Sequence, residues 1–419
     1  MSKKSIPILA IILLLITGGI YYWFFYLNTQ TVDVAVEPLK PVVFNPLNRQ
    51  GTPPQNTDRP KTTVKEEVTD TTTPTKIPLL RHLSESPIGG YMASSTASST
   101  IVRYVDRGVG HIFESLSTNQ NIDKISNTTI PRVYESVWNR NLSTTILRYM
   151  KDTSDVVVNF YAEIRKTSAT TATDAVTVTT PYEIKGRFLS PAIKEIAVSP
   201  KADRIFTLNI ENGVGVGYIS NFDESKKIKI FDTPLTQVAL QWPEENTLSI
   251  TTKASGVSAG TLYFSDVKKG GLKKIIGGIM GLTTKTSMDA RKVLFSLGGG
   301  RVKTAIYNTK DYTTQEVVFK TLADKCVWSK IHIDSLYCAV PTEIPSGLYP
   351  DDWYKGTVSF VDQIWYLDSV TGEVRLLANL LNLSNDLIDA TDLSLDPKEN
   401  FLYFINKKDL TLWSLDLSN

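Results

Sequence analysis

The stretch best equipped for chemistry is PTEIPSGLYPDDWYKG, Pro341–Gly356, where Tyr349, Asp351, Asp352, Trp353, Tyr354 and Lys355 set aromatic rings beside both signs of charge. In an exposed loop this mixture makes a recognition patch, because rings supply rigid apolar area and charges supply orientation. A second expectation stays open: Trp353 and Tyr354 fold back to plug a channel or cover a neighbouring sheet. Asp351, Asp352, Asp362 and Asp368 are of the type that glycosidases pair as acid and nucleophile or base, but spacing alone selects no pair.

Other motifs fail on context. GVSAG, Gly256–Gly260, matches the nucleophile-elbow pattern, yet an elbow joins a parallel strand to a helix and this stretch links two antiparallel strands. GVGVG at Gly213–Gly217 and the run Gly298–Gly300 invite phosphate binding; neither opens a helix, so hairpin turns are expected. His82, His111 and His332 with two cysteines match no metal-ligand spacing and assemble no convincing Ser/His/Asp set, so neither a metal nor a cofactor is expected. Cys326 and Cys338 lie in KCVWSKIHIDSLYCAV, which reads as two strands around a turn near His332. They can face each other as a disulfide, or remain two small core thiols. With 45 Lys and Arg against 43 Asp and Glu, the net charge of +2 argues against a nucleic-acid binder, which concentrates basic surface.

The elements that position these residues are short strands. Asp389–Asn419 reads as three of them, Thr391–Leu395, Phe401–Ile405 and Leu410–Leu417, parted by polar turns. The pattern recurs from Val133, Glu195, Gln237, Gly281 and Asp324. Aligned on the first turn, Asn139, Ser199, Trp242, Ser287, Ser329 and Asp396 repeat at closest spacings of about 42 to 45, the length of a propeller blade. A third and a fourth strand complete each unit, and a weaker unit from Gly89 makes seven. The last unit lacks its fourth strand. KIPLLRHLSES, Lys76–Ser86, supplies one, since Leu79, Leu80 and Leu83 repeat the spacing of Leu376, Leu377 and Leu380. The fold expected over 76–419 is therefore all-β: a seven-bladed β-propeller closed by an N-terminal outer strand. Pro341–Gly356 then lies between second and third strands, on the same face as Arg107, Arg301, Lys303 and Lys407. The other insertion, Arg165–Pro181, joins third to fourth strands and leaves by the opposite face.

Residues 1–28 differ. Ile6–Leu27 carries no charge over about 22 residues, enough at about 1.5 Å per residue to cross a hydrocarbon core of about 30 Å. Tyr21–Tyr26 closes it with aromatic rings, and Lys3 and Lys4 precede it, so the N-terminus is expected in the cytoplasm and the rest outside. A cleaved signal peptide is the alternative, but bulky aromatics stand where a small-x-small site belongs. Residues 29–75, rich in Pro and Thr without apolar periodicity, read as a disordered extracytoplasmic linker.

The turn YLDSVTGEV at Tyr366–Val374 and the hairpins SPKADRIF at Ser199–Phe206 and DPKENFLYF at Asp396–Phe404 resemble those of bacterial WD40-like, TolB-type β-propellers. The resemblance spans about Lys76–Asn419 and implies an envelope interaction module. Its expected partners are the lipid bilayer through residues 6–27 and an envelope protein or cell-wall polymer, the latter through Asp351, Asp352, Trp353, Tyr354, Lys355, Arg301 and Arg107. An extracytoplasmic glycan- or peptide-processing enzyme with acidic residues at the propeller mouth is the competing expectation.

Overall fold

A computed structural model of the chain describes residues 77–151, 156–166 and 182–418. Its strands are short, and the second of each blade buries both faces while the fourth is largely exposed. In Arg204–Glu211, Ile205 packs with Val137 and Ile146 of the preceding repeat, whereas Phe206 and Leu208 pack with Leu248 and Ile250 of the following one. Period-2 alternation thus serves two cores at once, which stacks repeats around an axis and does not leave one side to solvent.

Seven four-stranded antiparallel sheets result. Six are consecutive, spanning 88–124, 133–188, 193–233, 238–280, 283–316 and 326–379 (blades 1 to 6). Blade 7 takes Ala390–Leu395, Phe401–Asn406 and Thr411–Asp416 from the end of the chain and Leu80–His82 from its beginning, in register Leu80↔Leu415, Arg81↔Ser414 and His82↔Trp413. The expected closing strand is present. Blade 7 meets blade 1 through a core of Leu83, Ile88, Val102, Tyr104, Tyr403 and Leu412, and Asp396 Oδ2 accepts from Thr100 Oγ1 at 2.9 Å.

The repeat anchors are hairpin caps. Asn139 Oδ1, Ser199 Oγ, Ser287 Oγ and Asp396 Oδ1 each accept from the backbone N–H five residues on, at 2.8–3.0 Å. A short acceptor there satisfies a donor at the turn between first and second strands. Trp242 departs from the pattern: it is buried within the strand Val238–Glu244, inside the register shift between Gln241 and Glu244, and Glu244 serves the turn instead.

Cys326 and Cys338 are directly paired across blade 6 and form a disulfide, S–S 2.08 Å, inside a core with Trp328 and Leu336. The strands Val157–Lys166 and Tyr182–Phe188 flank the Arg165–Pro181 insertion as third and fourth strands of blade 2; residues 167–181 lie outside the described ones. So do the apolar segment Ile6–Leu27 and the linker 29–75. Among the described residues no helix is long and apolar enough to cross a membrane.

Candidate functional site

The insertion Pro341–Gly356 links the second and third strands of blade 6, as its position in the repeat requires. It runs inward. Tyr349 pairs through its backbone with Gly299, N–H to O at 2.9 Å one way and 2.7 Å the other, and a Cβ on Gly298 would sit 2.0 Å from the Tyr349 carbonyl oxygen. Only glycine allows so close a backbone approach. Gly256 does the same service from blade 4, where its N–H donates to Asp351 Oδ2 at 2.5 Å and a Cβ would meet Tyr349 O at 2.7 Å. Gly256, Gly298 and Gly299 are therefore the platform on which the insertion rests.

The short helix Asp351–Lys355 follows, ended by Gly356 at φ 78°. Its acids are engaged: Asp351 accepts from Ser255 Oγ and Gly256 N, and Asp352 from Leu348 N at 2.7 Å. Backbone and hydroxyl donors hold the Asp351 carboxyl below its usual range despite the desolvation that opposes them. Trp353 is only 2 % exposed, so it leaves the expected surface patch and takes the inward course. It stacks on Phe360 at 6.2 Å, and Phe360 stacks on Tyr349 at 5.9 Å, in a core that also holds Val302 and Leu322. The Tyr354 ring is 42 % exposed while its hydroxyl donates to Asp324 Oδ2 at 2.5 Å; burial and the adjacent carboxylate push its pKa well up. Lys355 is exposed.

Beneath Trp353 lies a cluster whose centre, Lys325 and Asp389, sequence reasoning missed, although it named Asp362 and Lys407 singly. Lys325, fully buried, donates to Asp389 Oδ1 at 2.5 Å, Asp362 Oδ2 at 2.8 Å and Ala390 O at 2.8 Å, which uses all three ammonium protons. Asp389 also accepts from Trp353 Nε1 at 2.9 Å, Phe360 N at 3.0 Å and Ser359 Oγ at 3.1 Å. Lys325 and Lys407 each lie 5.1 Å from the Trp353 ring centre, and burial lowers the Lys407 pKa. Asp362 accepts from Ala390 N at 2.6 Å, but its Oδ1 has no partner among the described residues. Burial, outweighing Lys325, raises its pKa to about 6. One signal was available: Lys325 and Asp389 each immediately precede the first strand of a blade, so a charge stands just before an apolar strand in consecutive repeats.

The raised Asp362 pKa fixes a sign. A carboxyl that holds its proton more tightly folded than unfolded contributes stability below pH about 4 and loses it as pH rises through about 6. Asp362→Asn keeps an acceptor for Lys325 and Ala390 N without that charge. Its melting midpoint relative to wild type should therefore rise between pH 4.5 and 7.5, by the equivalent of about 2 kcal/mol. A difference that stays flat or falls over that range would refute the assignment.

The remaining sequence candidates separate. Arg301 flanks the insertion, lining with Tyr349 a cleft of about 380 Å³. Arg107 belongs to the link between second and third strands of blade 1, where its N–H donates to Pro87 O, and does not line that cleft. Asp368 caps a turn through Val370 N and Thr371 N. Among the described residues no group of His, Cys, Asp and Glu is placed to hold a metal ion.

This geometry defines the chain as a seven-bladed β-propeller with an insertion from blade 6 that folds back against blades 4, 5 and 7. No protein-family model matches the sequence, and no curated protein sequence matches it. Among solved structures, it is similar to oligogalacturonate lyase from Vibrio parahaemolyticus at 8 % identity, TM-score 0.50, over 81 % of this chain and 94 % of that one. It is also similar to the β-propeller domain of the Trilobed protease from Pyrococcus furiosus at 11 % identity, TM-score 0.47, over 78 % and 94 %. TolB from Acinetobacter baumannii follows at 12 % identity, TM-score 0.39, over 78 % and 79 %. Likeness at these identities is one of fold alone, and the seven four-stranded sheets are the propeller that the TolB-type resemblance implied.

Proposed function

We propose that the chain is a membrane-anchored, extracytoplasmic β-propeller that serves as an interaction or scaffold module of the cell envelope. What carries this reading is the state of the acids singled out for catalysis. Asp351, Asp352 and Asp368 accept from backbone amides, and Asp362 is bonded to Lys325 and Ala390 N. Each holds structure together, which favours a face that binds over one that hydrolyses. Anchoring is supported by the length and apolarity of Ile6–Leu27 and by the strand Leu80–His82, through which a tether would enter the ring itself.

The test uses the full chain in its own membrane. It should resist alkaline extraction, expose its propeller to protease from the outer side only, and crosslink to a defined envelope component. Release by alkaline wash would remove the anchor. Turnover of an envelope glycan or peptide, lost in Asp351→Asn or Asp352→Asn, would replace the binding role by the enzymatic one.

A further inference from the structure

The insertion, in folding inward, forms one wall of the 380 Å³ cleft beside blade 5. Arg301, Lys303 and Lys320 line it, with Ile344, Pro345 and Tyr349 as apolar wall and floor, and no acidic residue lines it. Exposed cations normally alternate with carboxylates, because like charges in a concave, partly desolvated site repel. Here Arg301 and Lys320 have no hydrogen-bond or ion-pair partner among the described residues, and Lys303 reaches only Glu316, at 3.9 Å with both side chains mostly exposed. Such a loose surface pair neutralises little.

The base of the cleft is fixed. Tyr349 is 1 % exposed, bonded through its backbone to Gly299 and through its hydroxyl to Pro345 O at 2.6 Å. Val302, next to Arg301, is buried in the same core as Tyr349 and Trp353. Lys303 opens the strand Lys303–Asn308, and Thr321, next to Lys320, is fully buried and bonded to Thr304 and Ala339, so the guanidinium and the two ammonium groups stem from fixed backbone and only their side chains are ordered on binding. Guanidinium matches carboxylate and phosphate in a planar, two-bond geometry, while Ile344 and Pro345 offer a surface for the C–H face of a sugar or polyol.

We infer that this cleft binds an anionic envelope polymer, a sugar or polyol chain bearing carboxylate or phosphate groups. The inference deepens the interaction role proposed above and rests on it for the setting in which such a polymer is met.

The full chain in detergent is titrated with polygalacturonate, with long-chain polyphosphate and with neutral dextran, at low and at raised salt. Wild type should bind at least one polyanion, ignore dextran and weaken as salt is added. Arg301→Gln with Lys320→Gln should lose about tenfold or more, while Lys268→Gln with Lys269→Gln, an exposed pair on blade 4, should bind as wild type. Which polyanion binds assigns the carboxylate or the phosphate source. Absence of binding by wild type, equal binding by the Arg301/Lys320 variant, or an equal loss in the blade 4 control would overturn the inference. Any of these outcomes alongside an intact membrane crosslinking partner leaves the interaction role standing, so the two failures are distinguishable. Unchanged melting midpoints for both variants check that the ring is intact.

Discussion

Replacing Lys325 by methionine should cost about 3–5 kcal/mol of stability at neutral pH, the largest effect expected of any single substitution in this ring. Methionine fills a similar space, so little of the loss comes from a cavity. It comes from Asp362 and Asp389, both fully buried, which would lose the one cation bonded to both and keep only the more distant Lys407, which acts on Asp389. Asp389 keeps Trp353 Nε1 and Phe360 N as donors, but Asp362 keeps only Ala390 N. The loss should shrink as pH falls from 7.5 through about 6, because Asp362 already takes up its proton near there in the wild type and an unpaired buried carboxyl takes one up more readily still. Adding Asp362→Asn and Asp389→Asn to the methionine variant should recover much of it, since a neutral, filled site costs far less than an unbalanced one. Urea denaturation of the three proteins at pH 5 and pH 7.5 measures all of this. A loss under about 1 kcal/mol, or one independent of pH, would mean that the three side chains do not interact as an ionised cluster.

The contrast between this cluster and the hairpins explains what could be read in advance. Asn139, Ser199, Ser287 and Asp396 act on the chain five residues ahead, so their chemistry is local and their spacing declares the blades. Trp242 shares the spacing without the acceptor, which is why its turn falls later than the pattern suggests. The closing strand was legible for a different reason: six units had four strands and one had three, and only Lys76–Ser86 was left to pair. Lys325 and Asp389, by contrast, are 64 residues apart, and Trp353 meets Asp389 across 36. Nothing local distinguishes a tryptophan flanked by charges that faces solvent from one that covers a buried ion pair. The partner decides, and the partner belongs to the next blade. Arg301 was singled out as a face residue, but the wall opposite it, Ile344 and Pro345, comes from the insertion of blade 6, so the cleft existed only once the insertion's course was known.

Deleting residues 77–84 should destabilise the whole ring, by about 5 kcal/mol or more, even though only one three-residue strand is removed. The segment touches three blades. Within blade 7, Asp416 N donates to Leu79 O at 2.8 Å, Leu83 N to Leu412 O at 2.7 Å and Leu412 N to Ser84 Oγ at 2.8 Å, while His82 stacks on Trp413 at 4.3 Å. Toward blade 1, Leu83 lies 1 % exposed in the shared core, its carbonyl accepts from Tyr104 Oη at 2.9 Å, and Arg81 Nη1 reaches Leu116 O at 3.1 Å. Toward blade 6, Leu79 and Leu80 pack on the core that contains Leu380 and Ala378. Loss of Leu83 alone corresponds to a large-to-small core change of about 2–5 kcal/mol, and the exposed edge of Thr411–Asp416 adds unpaired backbone groups. Hydrogen exchange separates a ring-wide effect from a local one. The truncated chain should exchange faster in Thr100–Asp106 of blade 1 and Asp362–Asp368 of blade 6 as well as in Thr411–Asp416. A peptide spanning 76–87 supplied in trans should restore protection in all three, because a free sheet edge accepts an added strand of the right register. Faster exchange confined to Thr411–Asp416 would instead show that the strand is a patch on one blade, and that the ring holds without its clasp.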